Sequence, residues 1–125
     1  PVEVADYCLR VKLPFSVNLL AEEAGLSVLA DDTFLNETVR AVIEGRTRLM
    51  EELPRLGFEV CPSMANFIMV KPPRPAKFVF DELLKRGVII RHLKGFNLPD
   101  HLRISVGSAE ENAILIQELK QVLNA

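Results

Sequence analysis

An α+β fold, with a small mixed sheet of about four strands covered by helices, is the class this sequence predicts. Leu102, Ile104 and Val106 alternate with Arg103, Ser105 and Gly107, the period of a half-buried strand. Val39, Val42, Ile43, Arg46, Leu49, Met50 and Leu53 recur at the spacing of one helix face. The expected elements run as three helices, two strands, a helix, two strands and a helix, with no internal repeat or low-complexity linker. Residues 1–125 are therefore expected to form a single domain.

In chain order, Val2 to Arg10 reads as a short helix leading to a break at Leu13–Pro14. Val17, Leu20, Ala21, Ala24 and Val28 predict a second helix after that proline. The third carries the long stripe above, with Asp32 or Thr33 as its cap and Pro54 with Gly57 as its stop. Phe58 to Pro62 and Asn66 to Lys71 read as strands around a Pro62–Ser63 turn, antiparallel if they pair directly. The run Lys71 to Pro75 cannot continue a strand interior. Ala76 to Arg86 forms a helix with Val79, Phe80, Leu83 and Leu84 inward and Gly87 at its C-terminal cap. Val88 to Arg91 is a short strand, and a loop with Gly95 and Pro99 joins it to the Arg103 strand. Ser108 and Glu111 then form a capping box, opening a final helix that packs Leu115, Leu119, Val122 and Leu123.

Composition bounds the function. The chain has 125 residues, 49% hydrophobic and 26% charged, with a formal net charge of -2. That balance supplies a core but no basic field for nucleic acid. Cys8 and Cys61 have neither metal-ligand nor redox spacing, as expected of thiols in a reducing compartment. No apolar run is long enough to span a bilayer and no charged-then-apolar leader opens the chain, so a cytoplasmic protein is expected.

The signatures of self-sufficient catalysis are missing. There is no glycine-rich dinucleotide turn, no Walker-type loop and no nucleophile elbow. His92 and His101 flank loop ends without a ligand partner at useful spacing, so surface roles are expected and no metal site is assigned. Ser63, Ser105 and Ser108 have no base nearby in sequence. Glu110 and Glu111 point in different directions as helical neighbours, and Glu111 is already used by the cap. Two arginines remain. Arg103 sits on a strand face away from the core, and Arg91 ends the preceding strand. If those strands are neighbours, both guanidiniums could converge on one small anion, which their planar forks suit. Two unrelated surface charges would look the same from spacing alone.

Three segments carry a family resemblance: KLPFSVN at Lys12 to Asn18, PSMANFIMV at Pro62 to Val70, and RGVIIRHLKGFNLPDHLRISVGSAEEN at Arg86 to Asn112. In that order they resemble the C-terminal small domain of the histidinol-phosphate aminotransferases, fold type I enzymes that use pyridoxal 5′-phosphate. The resemblance implies that Arg103, in the LRISVG run, binds the acidic end of the substrate. It implies that Arg91, ending VIIR, helps hold the substrate phosphate. Asn66 receives no role.

The same resemblance implies that the catalytic lysine and most cofactor ligands come from a large domain that this chain lacks. Lys12, Lys71, Lys77 and Lys94 read as solvated surface charges. No catalytic or cofactor-binding residue is assigned here, and the isolated chain is expected to be inactive. Its first helices should expose apolar surface where they would meet the large domain. The implied activity is transamination between histidinol phosphate and 2-oxoglutarate, in histidine biosynthesis, by a parent enzyme that is a homodimer. Threonine-phosphate decarboxylase of cobalamin synthesis, or another aminotransferase of this fold, stays open as an alternative. So does a non-catalytic α+β binding module.

Overall fold

A computed structural model describes residues 1–12 and 15–124. The sequence reading takes residues 1–125 as one domain. The described residues gather into two compact units, Pro1–Asn36 and Glu37–Ala125.

The first unit holds α1 (Val2–Val11) and α2 (Leu19–Leu29). In α1, Arg10 pairs with Asp6 one turn earlier at 2.7 Å. Asn18 caps α2, its side-chain oxygen accepting the Ala21 N–H at 2.9 Å. Neither helix buries a residue. The Leu13–Pro14 break lies outside the described residues. The cap of α3 (Asp32–Arg55) is Asp31, whose Oδ1 accepts the Phe34 N–H at 2.9 Å, rather than Asp32 or Thr33.

The second unit contains most of α3, then β1 (Glu59–Val60), β2 (Phe67–Lys71), α4 (Ala76–Lys85), β3 (Arg91–His92), β4 (Leu102–Ser105) and α5 (Ala109–Asn124). Pro54 does not stop α3. The helix runs to Arg55 and ends where Gly57 turns left-handed, letting the Phe58 N–H reach back to the Leu53 carbonyl. Helix α4 ends the same way, with Gly87 at positive φ and the Val88 N–H on the Leu83 carbonyl. Along α3 the apolar stripe is buried only from Arg46 onward, while Val39 and Ile43 stay exposed. Leu84, expected inward on α4, is also exposed.

The sheet order is β1-β2-β4-β3, and every neighbouring pair is antiparallel, where a mixed sheet was expected. The reason is topological. The α4 crossover returns β3 in the direction of β2, but β4 folds back from β3 and inserts between them. The parallel contact is thereby split into two antiparallel ones. Ile68 and Val70 of β2 and Leu102 and Ile104 of β4 are fully buried, packed with Leu49, Leu53, Val79, Leu83, Leu119 and Val122 of the three helices. Alternation then places Phe67, Met69, Arg103 and Ser105 on the opposite face.

Candidate anion site on the outer sheet face

Strand register decides what this face can do. Arg91 of β3 lies directly opposite Arg103 of β4, and Arg103 lies opposite Met69 of β2. Directly opposed residues of an antiparallel pair project to the same side, so both arginines leave the sheet together. Like charges in that arrangement repel. No carboxylate offsets them, because neither arginine forms a salt bridge among the described residues. The two line one hollow of about 270 Å³, with Ile89, Ile90 and Ser105 as its other walls.

Aromatic rings restrain each guanidinium. The Arg103 Cζ lies 5.2 Å from the centre of the Phe67 ring, and the Arg91 Cζ lies 5.4 Å from that of Phe96. Arg103 is half-buried, and its Nε is sealed from solvent with no hydrogen-bond partner among the described residues. A buried donor left unpaired carries a desolvation cost of about 1–3 kcal/mol, which an anion at this site would offset. Beside it lies an apolar hollow of about 210 Å³ walled by Phe67, Met69, Leu93, Phe96 and Leu98.

A larger hollow of about 480 Å³ lies along Gly87 to Ile90, the end of β4 and the start of α5. Its carboxylate, Glu111, is engaged in the capping box. The Ser108 N–H donates to Glu111 at 2.8 Å, and the Glu111 N–H donates to the Ser108 hydroxyl at 3.2 Å. No arginine or lysine lines this larger hollow, whereas both Arg91 and Arg103 line the smaller one. Glu110, beside this cap, is held below the usual carboxylate range by a bond from its own backbone and then by the Ser108 hydroxyl.

Two buried polar side chains outside this hollow are tied to the backbone near the strand ends. Asn112 is buried and binds Gly107 twice, accepting from its N–H at 3.0 Å and donating to its carbonyl at 2.9 Å. Arg46, on the α3 stripe, donates to the Met64 and Ala65 carbonyls just before β2. Asn66 contributes through its backbone, its carbonyl accepting the Val106 N–H at 2.9 Å, which extends the β2–β4 ladder. His92 is not the plain surface histidine expected. Its ring stacks on Phe80 and its Nε2 lies 2.7 Å from the Pro99 carbonyl.

Sequence reasoning missed both aromatic partners. Phe67 was open to parity counting, since it alternates with Ile68 and Val70 on β2. Phe96 gave no such signal, because it lies on a 3-10 turn, Leu93–Phe96, inside an expected loop. Of the lysines, Lys71 pairs with Glu59 and Lys77 with Asp81, and none lines the arginine hollow. Among the described residues, no group of three or more histidine, cysteine or acidic side chains is arranged to hold a metal ion, and no helix is long and apolar enough to cross a membrane.

Comparison with known proteins places these features in context. The family model "Aminotransferase class I and II" matches residues 2–119. A histidinol-phosphate aminotransferase from Nitratidesulfovibrio vulgaris strain Hildenborough is 55% identical over 123 residues, covering 98% of this chain and 33% of that protein. Its namesake from Oleidesulfovibrio alaskensis is 48% identical over 124 residues, covering 96% of this chain and 32% of that protein. The crystal structure of the histidinol-phosphate aminotransferase from Clostridium acetobutylicum superposes with a TM-score of 0.75 at 27% identity, covering 98% of this chain and 38% of that one. The chain spans about a third of the length of the curated relatives it matches.

Proposed function

This chain belongs to the class I and II aminotransferases, and on that premise we propose that it is the substrate-gripping, C-terminal part of a pyridoxal 5′-phosphate-dependent histidinol-phosphate aminotransferase. One observation carries the reading. Arg91 and Arg103 stand opposite each other across two strands, uncompensated, in one hollow sized for a small anion. Arg103 takes the acidic end of the substrate and Arg91 the phosphate. Histidinol phosphate and glutamate each bring an anion to this pair, so one site serves both halves of the exchange with 2-oxoglutarate.

The residues of this chain do not fit the cofactor itself. No lysine lines the arginine hollow, which offers two guanidiniums, one hydroxyl and two isoleucines. On this proposal the cofactor and the catalytic lysine are supplied by the rest of the parent enzyme, a cytoplasmic homodimer, since the chain matches only 33% of its relative's length. The part played here is binding and orientation, with the acidic end of the substrate held on rigid strand rather than on flexible side chains.

Substitution in the full-length enzyme tests this. Arg103→Lys keeps a charge but loses the two-point grip, and should cost about one to three kcal/mol in kcat/KM for both substrates. Arg91→Ala should impair the phosphorylated amine more than glutamate. Unchanged efficiency in Arg103→Lys would remove the basis of the proposal.

A further inference from the structure

We propose that Phe96 is a positioning residue that holds the Arg91 guanidinium ready for the substrate phosphate, and so sets the enzyme's preference for phosphorylated amines over glutamate. This rests on the phosphate role given to Arg91 above. Arg91 needs such support. It is exposed, on a two-residue strand at the sheet edge, and its long side chain has no hydrogen bond or ion pair among the described residues. Left free, it would lose rotamer entropy each time it closed on a ligand. The ring of Phe96, 5.4 Å from its Cζ, is the contact that restrains it.

The loop is built to keep that ring in place. Leu93 is buried and its N–H donates to the His101 carbonyl at 3.1 Å. The Leu98 N–H returns to the Leu93 carbonyl at 3.2 Å, across a left-handed Asn97 with φ of 60°. His92, next to Arg91 in the chain, closes the loop through its 2.7 Å contact with the Pro99 carbonyl. A carbonyl oxygen only accepts, so this contact places a proton on Nε2. Phe96 itself remains exposed, although an apolar ring on a surface turn gains little from water. One side of the ring helps wall the apolar hollow beside Phe67 and Met69, and the Arg91 guanidinium lies over it.

Two measurements test the proposal. In this chain, nuclear magnetic resonance should find the Arg91 Nε–H proton shifted upfield by the Phe96 ring, and Phe96→Leu should abolish the shift. In the full-length enzyme, Phe96→Leu keeps apolar bulk but loses the ring. It should raise KM for histidinol phosphate about two- to fivefold, with a smaller change for glutamate, and Phe96→Tyr should restore the wild-type value. A leucine variant with wild-type KM, or equal losses for both substrates, would overturn the role. If Arg91→Ala leaves KM for histidinol phosphate unaltered, the reading of Arg91 fails and the inference falls with it. The proton shift then still reports whether the stack exists.

Discussion

The two units of this chain are both rich in apolar side chains, yet they treat them in opposite ways. In Glu37–Ala125, α3, α4 and α5 bury leucine and valine against Ile68, Val70, Leu102 and Ile104 of the sheet. In Pro1–Asn36, Val2, Leu9, Val17, Leu20 and Leu29 stay exposed, and α1 and α2 bury nothing. Helical spacing predicts that a helix exists, but not what covers its apolar face. Short helices without such cover are marginal in water. The second unit has the sheet as a partner, and the strand pairing and ring contacts of both arginines lie within it.

Truncating one leucine in each unit should have very different effects. Leu83, on α4, is fully buried, and Leu83→Ala should cost about 2–5 kcal/mol in urea unfolding of the chain. Leu20, on α2, is exposed, and Leu20→Ala should change stability by no more than about 0.5 kcal/mol. Equal losses would mean that α2 has a core of its own.

The same contrast explains what could be read from sequence. The Leu102, Ile104 alternation located β4 and the outward side of Arg103, because period-two patterning is a direct consequence of the pleat. The Ser108–Glu111 box located the start of α5 through local bonds alone. The strand expected at Val88 to Arg91 is displaced to Arg91–His92, because Val88 is engaged in the exit from α4. The insertion of β4 between β2 and β3 is a choice among pairings, so local pattern could not specify it. Phe96 depends on how a whole loop closes, including the left-handed turn at Asn97, and no short motif announces that.

Within the second unit, Asn112 joins the start of α5 to Gly107, just after the end of β4. Asn112→Ala would leave the Gly107 N–H and carbonyl without their side-chain partner, and should cost about 1–3 kcal/mol. Gly45 tests the same junction from α3. A glycine-to-alanine change inside a helix ordinarily gains about 1 kcal/mol. Here the added Cβ would fall 2.8 Å from both Asn112 Nδ2 and Val106 Cγ1. The amide is anchored by two hydrogen bonds and the valine is stiff at χ1, so neither yields cheaply. Gly45→Ala should therefore destabilise, and less so when Asn112 is already alanine. In the first unit Gly25 has open space, and Gly25→Ala should raise helicity instead.

The smallest effect compares the two helix caps. Ser108→Ala removes the acceptor for the Glu111 N–H and should cost about 1 kcal/mol of the main unfolding transition. Asn18→Ala removes an equivalent bond to Ala21, but should lower only the helicity of α2, since that helix is not tied to a buried core. Titration reads the α5 cap directly. Glu110 is depressed by a bond from its own backbone first and by the Ser108 hydroxyl second. A depressed carboxylate stabilises the fold above its unfolded-state pKa, and that contribution is lost as pH falls through the lower folded value. Glu110 should therefore titrate below a free glutamate when its carboxyl carbon is followed by magnetic resonance. In Ser108→Ala the value should rise but stay depressed, because the backbone bond remains. A value that does not move would show that the hydroxyl bond at 2.9 Å does not hold the carboxylate in solution.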